Sequence, residues 1–449
     1  MESVPEIRRR DRASTLCLDV GSTWTKGALI GQDGSLLGTA QHRTTPPEVM
    51  NGVASVAAAV GGDLATALVC SSAGGGLRLA VVGQERMVSA EAGYRVALSA
   101  GAKVVHVAAG ELDGAGVRAL RESRPDVLLL VGGTDGGETR VLLHNAHRIA
   151  ANRLRCPVVL AGNVHAGQEA LATLHTTKRT VVPTDNVLPD VGELAPGPAR
   201  RAIREVFLQH VIGGKGLSRG PRFRRMVRAV TPDAVLRGVS RLAATLATDE
   251  DSPGAVLVVD VGGATSDVYS AVSTVDDDTP RRTVELPADR RTVEGDLGMR
   301  WSAPGVVAEA AAERLLAAGE EGALAGAAAF RATDVGWIPQ AAQDIATDAR
   351  LASLAAVVAL RRHLRLVEGR MGPKGAGLLV LSGGVFRHAS ESTLDTVREV
   401  LSEDSVLRPI LRHARITVDT DYVLAPAGLL ADSARTDAAD HLLRSRLLA

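Results

Sequence analysis

Aromatic residues are scarce: the 449-residue chain has three Trp, three Tyr and four Phe. A core built with so few rings is aliphatic, and the platforms on which single-stranded nucleic acids stack are missing. Cysteine is also rare. Cys17, Cys70 and Cys156 stand far apart with no C-x-x-C pair, which argues against a disulfide framework or a thiolate zinc knuckle and suits a reducing compartment. Neither sign of charge is in excess: 51 Lys and Arg balance 51 Asp and Glu, so no global field draws nucleic acid or anionic lipid. No apolar run approaches the roughly 18 residues needed to cross a bilayer, and residues 6–12, rich in Arg, lack the form of a secretory signal. These absences predict a soluble, cytoplasmic protein with no nucleic-acid or membrane partner, whose ligands are recognised at local sites.

What is present is an alternation of short apolar runs with helix-period segments, the pattern of an α/β protein built from crossover units. Strands are expected at 15–20 and 27–30, joined as an antiparallel hairpin by a tight polar turn, and at 68–71. Four units then repeat between 92 and 182. Helices at 92–100, 115–123, 141–153 and 168–173 precede strands at 103–108, 126–131, 157–161 and 180–182, a Rossmann-like αβ layer. A Pro/Gly-rich connection, 183–198, closes it, and a helix at 199–211 returns to the main body. The charged turn cluster 249–254 marks the main boundary. Beyond it the pattern predicts a strand at 255–261, a hairpin at 274–289 with its tip at 276–278, a helical stretch at 306–326, a helix at 341–368, a strand at 377–381 and a final helix to 449. The expected domains are therefore 14–91 with 199–250, an inserted layer 92–198, a second domain 254–432 and a C-terminal helix 433–449.

Two segments are near copies. In Leu18-Asp19-Val20-Gly21-Ser22-Thr23-Trp24-Thr25-Lys26 and Val259-Asp260-Val261-Gly262-Gly263-Ala264-Thr265-Ser266-Asp267, an apolar strand ends in Asp, a small-residue turn follows, and a charged residue stands seven positions after the Asp. Glycine lets the backbone approach a ligand closely, and the amides of such a turn form an anion cradle for phosphate oxygens. A carboxylate at its mouth suits hydrated Mg²⁺, which is bound through one or two carboxylates plus substrate phosphates. Lys26 adds a point charge. A third strand, 378–382, enters Gly383-Gly384, where a flat ring can lie against backbone.

In this order the three segments resemble the actin, sugar-kinase and Hsp70 ATPase superfamily. The resemblance implies an α/β, two-domain ATPase of duplicated origin that clamps Mg-ATP, with the Rossmann-like layer inserted in its first half. Residues 19–26 and 260–267 then look like its two phosphate loops, 381–385 like its adenosine motif, and Ala425–Leu430 like its second hinge helix, with Gly428 allowing helices to cross closely. Within that superfamily the chain is similar to the MutL accessory proteins encoded beside coenzyme-B12-dependent glutamate mutase. Four stretches carry that likeness: 18–26, Ser71-Ser-Ala-Gly-Gly-Gly-Leu-Arg78, Leu130-Val-Gly-Gly-Thr-Asp-Gly-Gly137 and Arg291-Thr-Val-Glu-Gly-Asp-Leu-Gly-Met299. The family resemblance implies an ATP-dependent reactivating role toward the mutase, with the mutase subunits as partners and a homodimer left open.

The expected site follows. ATP and Mg²⁺ are the cofactors; Gly21, Ser22 and Thr23, with Gly262, Gly263, Ala264 and Thr265, hold phosphate, with Lys26 neutralising it. Asp19 and Asp260 hold the metal, and Gly383 and Gly384 flank the adenine ribose. Asp267 and Asp296 are the candidates for orienting the attacking water in a slow hydrolysis that drives domain closure. A small-molecule kinase using Asp267 or Asp296 as base, a hydantoinase-like amidohydrolase and a non-enzymatic filament-forming scaffold are the competing readings. Three weaker features remain. Gly132–Gly137, with Asn163, His165, Asp185 and Asn186 at the same sheet edge, reads as turn chemistry or a second polar site. His144 and His147 share a helix face. Arg219, Arg222, Arg224, Arg225 and Arg228 form the densest basic cluster, a solvated face or a docking surface for an acidic partner.

Overall fold

The strand Thr15–Val20 places Leu16, Leu18 and Val20 in the hydrophobic core, which by the two-residue period puts Asp19 on the opposite face. The strand Ala255–Val261 repeats the arrangement: Leu257, Val259 and Val261 enter a second core and Asp260 falls on the other face. The computed structural model describes residues 14–72, 77–85, 88–99, 102–211, 221–247, 255–272, 289–367 and 375–449.

In chain order the strands are β1 (Thr15–Val20), β2 (Trp24–Ile30), β3 (Leu36–Arg43), β4 (Leu68–Ser71), β5 (Arg78–Gly83), β6 (Lys103–Ala109), β7 (Val127–Leu130), β8 (Val158–Leu160), β9 (Val181–Pro183), β10 (Val227–Val230), β11 (Ala255–Val261), β12 (Ser266–Val272), β13 (Asp289–Glu294), β14 (Leu378–Ser382) and β15 (Arg415–Val418). They form three five-stranded sheets, β10-β4-β1-β2-β3, β15-β14-β11-β12-β13 and β6-β5-β7-β8-β9. The first two share one plan. β1 and β11 each pair antiparallel with the next strand and parallel with β4 or β14, and the strand beyond, β10 or β15, is again parallel. This is a duplicated α/β architecture, as expected from the sequence. The third sheet is all-parallel, and its Leu128, Leu130, Val158 and Leu160 make a core of their own.

Contacts divide the described chain into two units, 14–30 with 37–233, and 31–36 with 234–272 and 289–449. Several expectations are corrected. The inserted layer has five strands and starts before residue 92, because β5 inside the expected first domain pairs with β6 and β7. The second unit begins at Ala234 within the helix Thr231–Leu246, ahead of the expected boundary near 250. β2 starts at Trp24, and β3 was not anticipated. The 306–326 stretch is two helices, Ala303–Ala312 and Glu320–Thr333, the second preceded by Gly319 at φ 82°. The C-terminal segment is likewise broken into Leu424–Asp432, Thr436–Leu443 and a π-turn. The expected hairpin at 274–289 lies outside the described residues except for Asp289.

Two helices of the second unit, Thr231–Leu246 and Leu424–Asp432, meet at glycines. A Cβ on Gly428 would lie 1.8 Å from the Ala234 carbonyl oxygen, and one on Gly238 would lie 2.1 Å from that of Leu424. The close crossing expected of Gly428 is there.

Candidate functional site

The two near-copy segments fold alike residue by residue. In the β1–β2 hairpin Asp19 stands opposite Lys26 and Val20 opposite Thr25; in the β11–β12 hairpin Asp260 stands opposite Asp267 and Val261 opposite Ser266. Each turn closes with its first glycine donating, Gly21 N–H to Trp24 O at 3.0 Å and Gly262 N–H to Thr265 O at 2.9 Å. Burial follows the same sequence: half-buried Asp, buried Val, half-buried Gly, two exposed residues, then buried Thr25 or Ser266.

The turn carbonyls are held from behind. In the first hairpin Thr44, just past β3, donates its hydroxyl to Gly21 O at 2.8 Å and its amide to Thr23 O at 2.9 Å. In the second, the chain after β13 does the same work: Met299 N–H reaches Gly262 O, Arg300 and Trp301 N–H reach Gly263 O, and the Ser302 hydroxyl reaches Ala264 O. Gly298 permits this approach, since a Cβ there would lie 2.4 Å from the Ala264 carbonyl carbon. The amides of Ser22, Thr23, Gly263 and Ala264 donate to no acceptor among the described residues, and all four residues are exposed. Carbonyls tied back with amides left forward is the polarity of an anion cradle.

Within the first unit, Oδ1 of Asp19 accepts a short bond of 2.5 Å from the Thr231 hydroxyl and faces Cys70 Sγ at 3.7 Å. Burial pushes the Cys70 thiol well above the ordinary cysteine range, the Asp19 charge adding to it, so it stays protonated and donates. Asp19, Ser71 and Thr231 sit at the carboxyl ends of three adjacent strands. Within the second unit Asp260 stands beside Ser382 on parallel β14, and Gly383 follows at φ 116°, where a Cβ would lie 2.3 Å from Val261 O. The Gly-Gly turn is thereby pressed against the strand that carries Asp260. Gly384 begins the short helix Gly384–Arg387 with open space where a Cβ would go.

Both remaining carboxylates are engaged by arginine. Asp267 Oδ1 takes Arg291 Nε and Nη2 at 2.8 and 2.5 Å, in a pair whose side chains are only 16% and 6% exposed. Asp296, after β13, is held by Arg362 Nη1 at 2.9 Å and keeps 46% of its side chain exposed. Arg362 also binds Glu294 and Glu309. Burial raises the Glu294 carboxyl even so. Thr44, Thr231, Ser302 and Arg362 were missed in sequence; Arg291 and Gly298 lay within the stretch 291–299 that carries the family likeness.

The Gly132–Gly137 edge resolves into turn chemistry. Asp135 Oδ1 accepts from Val164 N–H at 3.0 Å, at the start of the helix Val164–His175, and from Asn186 Nδ2 at 2.8 Å. A carboxylate of the chain itself thus fills that helix N-terminus. Buried Asn163 accepts from Gly136 and His165 N–H and donates to Gly137 O. His165 and Asp185 are exposed, and His144 is bonded to Leu112 O.

The family described as MutL protein matches residues 15–447. Protein MutL of Clostridium tetanomorphum is 32% identical over 449 residues, covering 93% of this chain and 96% of the relative. Among solved structures, nucleotide-free acetone carboxylase aligns at 14% identity and a TM-score of 0.38 over 86% of this chain and 67% of that one. The Streptomyces griseus ROK-family glucokinase with glucose and AMPPNP aligns at 13% and 0.32 over 96% and 100%. The 2-hydroxyisocaproyl-CoA dehydratase activator of Clostridium difficile with ADPNP aligns at 10% and 0.30 over 97% and 98%. These structural likenesses are too loose to assign any residue of the site. The whole-length sequence match is of another order, and by it this chain belongs to the MutL protein family.

Proposed function

We propose that the chain binds Mg-ATP through its two matched turns and acts as an ATP-dependent accessory protein that reactivates coenzyme-B12-dependent glutamate mutase. The observation that carries the reading is the equivalence of the hairpins: both present an Asp, a Gly-closed turn and two exposed amides without acceptors, in the same register. Membership of the MutL family supports the accessory role.

In this reading Gly21–Thr23 and Gly262–Thr265 donate to phosphate oxygens, and Lys26 neutralises their charge. The donor set fits magnesium, since Asp19 and Asp260 are hard oxygen donors at the mouths of amide-lined turns. Bound there, the ion would neutralise charge on the phosphates. Thr231 fixes the Asp19 carboxylate for that role. Gly383 and Gly384 offer bare backbone to the adenosine. Of the two carboxylates left to orient water, Asp267 is sealed against Arg291, so the role falls to Asp296, which Arg362 positions while solvent still reaches it. Both are held in place by arginine, which suits positioning of a water in slow hydrolysis and a switch of shape between ATP and ADP states more than fast transfer to a substrate. The structure gives the kinase and hydantoinase readings no observation of their own.

Steady-state ATP hydrolysis, measured with and without purified glutamate mutase carrying damaged cobalamin, tests the reading. Restored mutase activity that depends on ATP and disappears with Asp260→Asn is expected. Absence of ATP-dependent rescue contradicts it.

A further inference from the structure

The first unit holds an open cavity of about 780 Å³, within the size range of ligand pockets. Four arginines line it, Arg201, Arg204, Arg224 and Arg225. The helix Pro196–Val206 brings Arg201 and Arg204 to one face by their three-residue spacing, and Arg224 and Arg225 come from the last turn of the helix Pro221–Met226.

The four are not equivalent. Arg204 Nε is spent on Asp233 Oδ2 at 2.5 Å. Arg201, Arg224 and Arg225 are exposed and form no ion pair among the described residues. Among the described lining residues one is acidic, Glu205, which accepts from Gln209 Nε2 at 2.9 Å. The cavity thus carries an excess of positive charge in a protein of zero formal net charge.

The lining also selects among anions. Guanidinium forks bind carboxylate and phosphate alike. Among the described residues no aromatic side chain lines the cavity, so a nucleobase finds no ring there to stack on. Leu208 and Val227 add apolar wall, which suits aliphatic side chains between carboxylates.

We propose that this cavity docks an acidic segment of a partner protein. Its Asp or Glu carboxylates pair with Arg201, Arg224 and Arg225, and its aliphatic side chains lie on Leu208 and Val227. None of its lining residues belongs to either turn, and the proposal stands independently of the nucleotide reading.

The test is fluorescence-anisotropy titration of the full chain with a labelled peptide of alternating Glu and Leu, against the same peptide with Gln for Glu. Binding of the Glu peptide alone is expected, weakening as salt rises. It should fall about tenfold or more in Arg224→Glu/Arg225→Glu, with an unchanged melting temperature. Arg224→Gln/Arg225→Gln, which removes the charges without reversing them, should give an intermediate loss and guards against misfolding of the first variant. Equal binding of the two peptides, no binding of either, or undiminished binding in the charge-reversed variant overturns the proposal. So does displacement of the peptide by micromolar tripolyphosphate, which would make the cavity a phosphate site.

Discussion

The Thr231 hydroxyl donates to Oδ1 of Asp19, joining the start of a helix to a strand 212 residues earlier in the chain. The bond holds the carboxylate in one rotamer at the mouth of the first turn. A hydrogen bond to a charged group contributes about 1.5–3 kcal/mol. Thr231→Val should therefore weaken Mg²⁺-dependent ATP binding while Thr231→Ser restores it. Titration calorimetry of the two variants reads the difference, and equal affinity in both would remove Thr231 from the site.

Gly383 cannot carry a side chain. At φ 116°, with a Cβ placed 2.3 Å from Val261 O, Gly383→Ala must separate the Gly-Gly turn from β11. We expect a loss of more than about 2 kcal/mol in urea denaturation. Gly384→Ala, where nothing lies within 4 Å, should leave stability nearly unchanged. Any loss it shows should be in adenosine affinity.

Asp135 is a structural cap. Removing it leaves Val164 N–H and one of the two Asn186 Nδ2 hydrogens without an acceptor, the other still reaching Gly133 O, so Asp135→Ala should cost about 1–3 kcal/mol. Its ATP affinity should match that of the parent protein at temperatures where the variant is folded. A variant of unchanged melting temperature with impaired function would return this edge to the list of ligand sites.

His363 makes stability depend on pH. Buried between Thr292 and Ser270 hydroxyls at 2.9 Å each, it is pushed down to about 3 by burial first and by the Arg290 charge second. Unfolded, a histidine takes up its proton near pH 6.5. The stabilisation from keeping it neutral is complete above that value and is lost as pH falls from 6.5 toward 3. The slope for this one group is about 1.4 kcal/mol per pH unit. Denaturation midpoints between pH 7 and 4.5 should fall less steeply in His363→Gln than in the parent. Parallel curves would refute the assignment.

The hairpins were legible because their chemistry is local: strand, Asp, glycine turn and charged residue lie within nine positions, and glycine and apolar alternation announce the geometry. Gly428 was legible through the resemblance of 425–430 to the superfamily's second hinge helix. β3 was not, because Leu-Leu-Gly-Thr-Ala-Gln-His-Arg is a mostly exposed edge strand with little apolar signal. β5 was not seen as part of the inserted layer, because it lies inside the expected first domain and its pairing with β6 and β7 is a tertiary fact. Thr44, Thr231 and Arg362 were invisible for a related reason. Each acts through a tertiary contact made only once sheet order is known, and Thr or Arg alone carries no spacing signature.

The central claim is that two equivalent turns bind one Mg-ATP, and equilibrium titration of Mg-ATP onto the full chain tests it most directly. The account predicts one nucleotide per chain. Asp19→Asn and Asp260→Asn should each weaken binding roughly tenfold to a hundredfold in the presence of Mg²⁺, with little change in its absence. Binding that is absent in the parent protein, or untouched by both substitutions, contradicts it.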